Sequence, residues 1–135
     1  MAGETALTTL IRNLSPRLNP GQYVFCTLDD AERLEGCTPL GSFREREGLT
    51  VILERDAADR QGLAYDYTAA WITLEVHSSL SAVGLTATFA GALAQAGISC
   101  NVVAGYFHDH LFVASRDAER ALSTLRALAA NAQSE

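Results

Sequence analysis

The chain has 135 residues, 48% hydrophobic and 19% charged, with a net charge of −6: enough apolar matter for one ordinary domain or two small ones sharing a core, and too few charges for a disordered chain. Lysine is absent and the 10 basic residues are scattered arginines, which excludes the clustered cations that a nucleic-acid surface needs. No apolar run reaches membrane-spanning length and no basic-then-apolar export segment opens the chain, so a cytoplasmic protein with no membrane partner is expected.

In chain order, Leu7, Leu10, Ile11 and Leu14 recur at helical spacing over Thr5 to Leu14, and Pro16 and Pro20 close that element. Tyr23 to Leu28 is aromatic and β-branched and predicts a buried strand. Asp29 to Gly41 carries acids, glycines and Pro39 and predicts a loop. Ser42 to Arg46 and Leu49 to Glu54 predict a hairpin around Glu47-Gly48, with an alternating Arg/Glu run on a solvated surface. A short helix over Asp56 to Gly62 and a brief strand over Tyr65 to Thr68 complete the first half.

The second half has a cleaner pattern. Ile72, Leu74 and Val76 alternate with Thr73, Glu75 and His77, which predicts a strand from Trp71 with one buried face. A Ser/Gly loop, Ser78 to Gly84, leads into a helix with Leu85, Phe89, Leu93 and Ala96 on one side and Gly97 as its stop. Ile98, Cys100 and Val102 share a face of the next strand, and Leu111 and Val113 share one on the last. Ala118, Leu122, Leu125 and Leu128 give a final amphipathic helix capped by Ser115 or Asp117. The βαββα order returns the third strand beside the first, as in a ferredoxin-like sheet. The first half repeats the element types, so the fold class expected is α+β. Two ferredoxin-like, βαββαβ-related units are packed in tandem, residues 1–68 and 69–135, with antiparallel sheets and helices on one face.

The chemistry-bearing residues are few. Cys26, Cys37 and Cys100 are too few and too widely spaced for a zinc motif or a disulfide framework, and are expected to be free thiols. The loop before Leu85 has a physical case for binding. Small residues admit a ligand to the backbone, and the unpaired N–H groups and dipole of a helix N-terminus favour a carboxylate. The plainer alternative is a turn capped by Ser81. Asp109 could pair with an ammonium or guanidinium group, or be a solvated turn acid. His108 and His110 share a strand face, and His77 ends the neighbouring strand. Three imidazoles so placed could hold Zn²⁺ with a position open for water, as in a small metal hydrolase. Hydrogen bonding to Glu75 is the simpler role. No phosphate loop, Ser/His/Asp arrangement or dinucleotide fingerprint is present, so neither an enzyme nor a bound cofactor is expected.

The run EVHSSLSAVGLTATFAGALAQAGISCNVVAGYFHDHLFVAS resembles an ACT domain, the small regulatory module that binds amino acids. A strand, the Gly-bearing loop AVGLTA, a helix ending AQAGIS and an Asn-bearing strand carry the likeness. PLGSFREREGLTVILER resembles the segment preceding such a module in a bacterial tandem-ACT family, which is itself similar to half of the eukaryotic cytosolic arginine sensors. The resemblance spans about residues 22 to 128. It implies an amino-acid ligand whose head group rests on backbone of Val83, Gly84 and Leu85. Further contacts are implied at Ser99, Cys100, Gly105, Tyr106 and Asp109. The sensors build their pocket from two such halves, so the resemblance implies a homodimer here, with the ligand at an inter-module or dimer interface. A ligand-free structural dimerisation module is the remaining alternative. A chain with no output domain would signal through a separate effector protein.

Overall fold

A computed structural model describes residues 2–29, 34–76 and 83–133. In chain order the elements are α1 (Ala2–Arg12), β1 (Pro16–Leu18), β2 (Tyr23–Leu28), β3 (Gly41–Arg44), β4 (Leu49–Glu54), α2 (Arg55–Arg60), β5 (Thr68–Leu74), α3 (Leu85–Gln95), β6 (Cys100–Ala104), β7 (Asp109–Ala114) and α4 (Ala118–Gln133). The architecture is mixed α+β with antiparallel pairing, as the hydrophobic periodicity predicts. Two compact units form, and they are not consecutive in sequence. Pro20–Ala70 makes one. Met1–Asn19 joins Trp71–Glu135 to make the other.

In the Pro20–Ala70 unit, β4 lies between β3 and β2, and β2 also pairs with the start of β5 at Tyr23–Ala69 and Val24–Thr68. β2 and β4 occupy the residues their patterns predict, because Val24, Cys26 and Leu28 on one strand meet Val51 and Leu53 on the other in one buried cluster. Ala57 and Ala58 of α2 and Leu63 close that cluster. The expected strand at Tyr65 is a correction: β5 begins only at Thr68. Tyr65 instead receives a hydrogen bond from Arg55 Nε at 3.0 Å and donates one to Asp59 Oδ1 at 2.7 Å. Those side-chain bonds hold it in a loop beside α2.

In the other unit, β7 lies between β5 and β6, so the third strand of this half sits beside the first. β1 pairs antiparallel with β5, Arg17 facing Thr73. This short strand is missing from the sequence expectation; Pro16 tolerates the position because it opens the strand. Ile72, Leu74, Leu111 and Val113 are fully buried, and Phe89, Leu93 and Leu125 supply the helical side of the core. Each such side chain contributes roughly 1.5–3 kcal/mol through apolar burial. The expectation of one buried face fails at β5, and β7 is buried on both faces too. Thr73 is 1% exposed and Phe112 2% exposed, so the faces opposite Ile72 and Leu111 are covered as well. α4 begins after a 3₁₀ turn at Ser115–Asp117. Asp117 pairs with Arg120 at 2.9 Å. No helix among the described residues is long and apolar enough to cross a membrane.

Candidate functional site

The βαβ arrangement sends the C-terminal ends of β5 and β6 to the same end of the sheet, because α3 carries the chain back between them. Two groups of candidate residues are carried there: Val83–Leu85 at the start of α3, and the hairpin between β6 and β7. Residues 77–82, including His77 and most of the Ser/Gly loop with Ser81, lie outside the described residues.

Gly84 precedes α3 with φ +97°, a conformation that only glycine adopts readily, and as the N-cap it has no side chain with which to cap the helix. Its carbonyl accepts the first intrahelical bond from Thr88 N–H at 3.0 Å and another from Thr88 Oγ1 at 2.7 Å. The N–H groups of Leu85, Thr86 and Ala87 therefore have no acceptor within the helix. Val83 is 88% exposed while Leu85 is buried. One side of this corner is filled by the protein itself. A Cβ on Gly84 would come within 3.1 Å of Leu7 Cδ2 from α1.

The β6–β7 hairpin is set by the register Ala104–Asp109, with Gly105 N–H donating to His108 O at 2.9 Å. Gly105 is required there because a Cβ would stand 2.8 Å from that same carbonyl oxygen. It would also meet His110 Nε2 at 3.1 Å, which brings Gly105, His108 and His110 together. Asp109, half-buried, adjoins them, and burial pushes its carboxyl above the ordinary range against the opposing effect of His110. Tyr106 and Phe107 at the hairpin tip are exposed and stack edge to face, ring centres 5.0 Å apart. Ser99 and Cys100 are not part of this group. They sit at the opposite end of β6, roughly 15 Å away at strand rise. Burial pushes the Cys100 thiol up to about 11, so it is neither a nucleophile nor an anion at neutral pH.

A buried polar network backs the hairpin, and the sequence pattern contains no hint of it. Asn19, 8% exposed, donates from Nδ2 to Thr73 Oγ1 at 2.9 Å and to Trp71 O at 3.3 Å. Trp71 Nε1–H donates to His110 Nδ1 at 3.1 Å, and Thr73 Oγ1 lies 3.2 Å from the same nitrogen. An indole N–H is only a donor, so Nδ1 of His110 carries no proton and the neutral ring holds its hydrogen on Nε2. Burial first, then His108 and Arg17, push His110 below its ordinary 6.5, with Asp109 pulling the other way. A metal ion on Nε2 would need the ring proton on Nδ1, pointing into the Trp71 N–H. The donor geometry therefore opposes His110 as a zinc ligand. Among the described residues no cluster of three metal-ligating side chains occurs.

Sequence reasoning also missed a cleft of about 470 Å³ in the Pro20–Ala70 unit, walled by Phe25, Thr27, Thr50, Tyr65 and Asp66. Its walls come from two strands and a loop with no shared motif, so no local pattern marks it.

Sheets of this topology with helices on one face, repeated along one chain, define the class of small tandem α+β modules. The chain belongs to the ACT-domain family: ACT-domain profiles match residues 2–70 and, separately, 67–127. A solved Vibrio cholerae protein of unknown function, described as a possible transport protein, is 47% identical over 94% of this chain and 98% of its own, with a TM-score of 0.82. A solved Agrobacterium tumefaciens protein is 20% identical over 86% of this chain and 89% of that one, TM-score 0.67. The regulatory subunit of aspartate kinase from Thermus flavus shares the fold at 13% identity, covering 84% and 96% of the two chains, TM-score 0.65. No curated protein matches the chain in sequence.

Proposed function

We propose that the chain is a non-catalytic regulatory protein of the cytoplasm that binds an amino acid and works as a homodimer, passing its ligand state to a separate effector protein. The observation that carries this reading is the start of α3. Gly84, in the left-handed region and with no side chain of its own to cap the helix, precedes the Leu85, Thr86 and Ala87 amides, which have no helical acceptors. Beside them Val83 stands exposed. A carboxylate on those amides gains from hydrogen bonding and from the helix dipole, the latter about 0.3–1 kcal/mol. Asp109 supplies a carboxylate at the same end of the sheet for a ligand's ammonium or guanidinium group. Membership of the ACT-domain family supports the regulatory part of the reading. The aspartate kinase regulatory subunit is called regulatory in its own right, and its likeness adds the fold alone. Because Ser99 and Cys100 lie at the far end of β6, one copy does not gather the whole implied ligand set, and a second copy is required to bring those residues to the ligand.

A thermal-shift panel of the twenty amino acids tests the reading. A ligand that binds only the native state stabilises it by about 2.7 kcal/mol at a hundred times its dissociation constant. One or a few amino acids should raise the midpoint and change the dimer population in light scattering. Silence across the panel at millimolar concentration leaves a structural dimerisation module instead.

A further inference from the structure

β2 has an open edge beyond its first two residues. Arg55 N–H donates to Gln22 O at 2.9 Å across the β2–β4 pairing, whose register runs from Tyr23–Glu54 to Leu28–Leu49. In an antiparallel ladder, residues that bond to one neighbour alternate with residues that face the other. Val24, Cys26 and Leu28 therefore bond to β4, and Tyr23, Phe25 and Thr27 turn their N–H and C=O groups the opposite way. β5 takes up that side only at Tyr23 and Val24. The same register carried further would set Tyr65 opposite Thr27, but Tyr65 is bonded instead to Arg55 and Asp59. Among the described residues no strand lies beside Thr27 there. Thr27 is exposed, and it lines the cleft of about 470 Å³ whose other wall is Ala64, Tyr65 and Asp66. The side chains add to this. Phe25 and Thr27 share the face opposite the buried Val24, Cys26 and Leu28. The Tyr65 ring is fixed by its two hydrogen bonds and by the Arg55 guanidinium 5.9 Å from its centre. Asp66, exposed, is the one charged residue of the lining.

We propose that this cleft is a binding site for a short free peptide of about three residues, taken in extended form. The central residue of the peptide pairs its N–H and C=O with those of Thr27 and so adds a short strand to β2. Its ammonium end is held by the Asp66 carboxylate, and a side chain rests on Phe25. The size agrees. Phe25 to Thr27 covers roughly 7–10 Å at strand rise, and clefts of about 300–1,000 Å³ hold small ligands rather than long segments. The charge agrees too, since a lining whose one ionised group is a carboxylate favours a cationic end over an anionic one. A free amino acid has no amide N–H with which to complete the pairing, and a polar site left unpaired rejects it. The site belongs to the Pro20–Ala70 unit and does not rest on the amino-acid reading of the start of α3.

The experiment has two parts, both on the ¹⁵N-labelled full chain. Without any ligand, the Thr27 amide should exchange with D₂O at least about tenfold faster than the Cys26 amide, which β4 protects. Equal protection of the two means that the edge is covered, and it overturns the proposal. The chain is then titrated with Ala-Ala-Ala and Ala-Phe-Ala up to about 5 mM. The Thr27 and Asp66 amide signals should move. Acetylating the amino end of the peptide, methylating its central amide nitrogen, or replacing Asp66→Asn should each weaken binding by about tenfold or more. Free alanine and phenylalanine should leave the Thr27 and Asp66 signals in place; shifts that they cause at Leu85–Ala87 report the start of α3 and do not bear on the cleft. Equal binding by the parent and either modified peptide, or by wild type and Asp66→Asn, overturns the assigned pairing. Free phenylalanine moving Thr27 as far as Ala-Phe-Ala does overturns the peptide class. No shift with either tripeptide overturns the site and leaves the amino-acid reading standing.

Discussion

Asn19 and Thr73 are joined by a 2.9 Å hydrogen bond between buried side chains that are 54 positions apart in sequence. Nothing local requires the pair. It forms because β1 runs beside β5 and the residue after β1 turns its amide inward. Removing either partner leaves the other unsatisfied, so Asn19→Leu or Thr73→Val is expected to cost about 1–3 kcal/mol in urea unfolding. The double variant should cost less than the sum of the two, since the shared bond is lost only once.

Gly84→Ala forces a Cβ into the left-handed region and to within 3.1 Å of Leu7 Cδ2. The backbone part is expected to cost about 1–2 kcal/mol. Adding Leu7→Ala to the Gly84→Ala variant relieves the steric part, and the Leu7→Ala variant alone supplies the packing lost with that side chain. Thermal denaturation of the two single variants beside the double one separates the contributions.

The pH dependence of stability follows from the hairpin. His110 is held below its ordinary 6.5, and the unfolded chain therefore binds a proton first as pH falls. Its contribution is complete above 6.5 and is lost as pH drops through the lower folded value. The groups that bear on it are His108, Asp109 and Arg17. Asp109 acts in the opposite sense, because its raised folded value makes its contribution complete at low pH and lost as pH rises through that value. Urea melts between about pH 5 and pH 7 should show a smaller fall in stability for His110→Phe than for wild type. Asp109→Asn should show a larger gain than wild type as pH rises from its unfolded value of 3.8.

Cys100, with its thiol raised to about 11 by burial, should alkylate slowly. Its iodoacetamide rate in the native protein is expected to climb about tenfold per pH unit from about pH 8 to about pH 10. Mass spectrometry of the labelled peptide checks it. A rate already near its plateau at pH 8 contradicts the burial.

Much of the fold was legible because it follows from period. Tyr23–Leu28 and Leu49–Glu54 are read at their true bounds, since their buried residues alternate and face one cluster. α3 shows equally well through Leu85, Phe89 and Leu93. What failed was non-local. Thr73 occupies the polar phase of β5, and only the arrival of Asn19 and His110 accounts for its burial. Pro16 reads as a helix terminator, and its strand exists only because β5 offers a partner edge. At the candidate site the hairpin group of Gly105, His108, Asp109 and His110 was visible as a cluster of titratable residues beside a glycine. The tautomer of His110 was not, because Trp71 sits 39 positions away. The separation of Ser99 and Cys100 from that group needed the length of β6, which no motif encodes.

The interleaving of Met1–Asn19 with Trp71–Glu135 has a consequence for biosynthesis. On the ribosome the Pro20–Ala70 segment has all its own partners once Ala70 has cleared the exit tunnel. The unit whose chain emerges first must hold α1 and β1 unsatisfied until α4 is translated, a delay of several seconds at about 5–20 residues per second. Nascent chains therefore acquire protease resistance from the middle outward, and the oldest helix is the last to be secured.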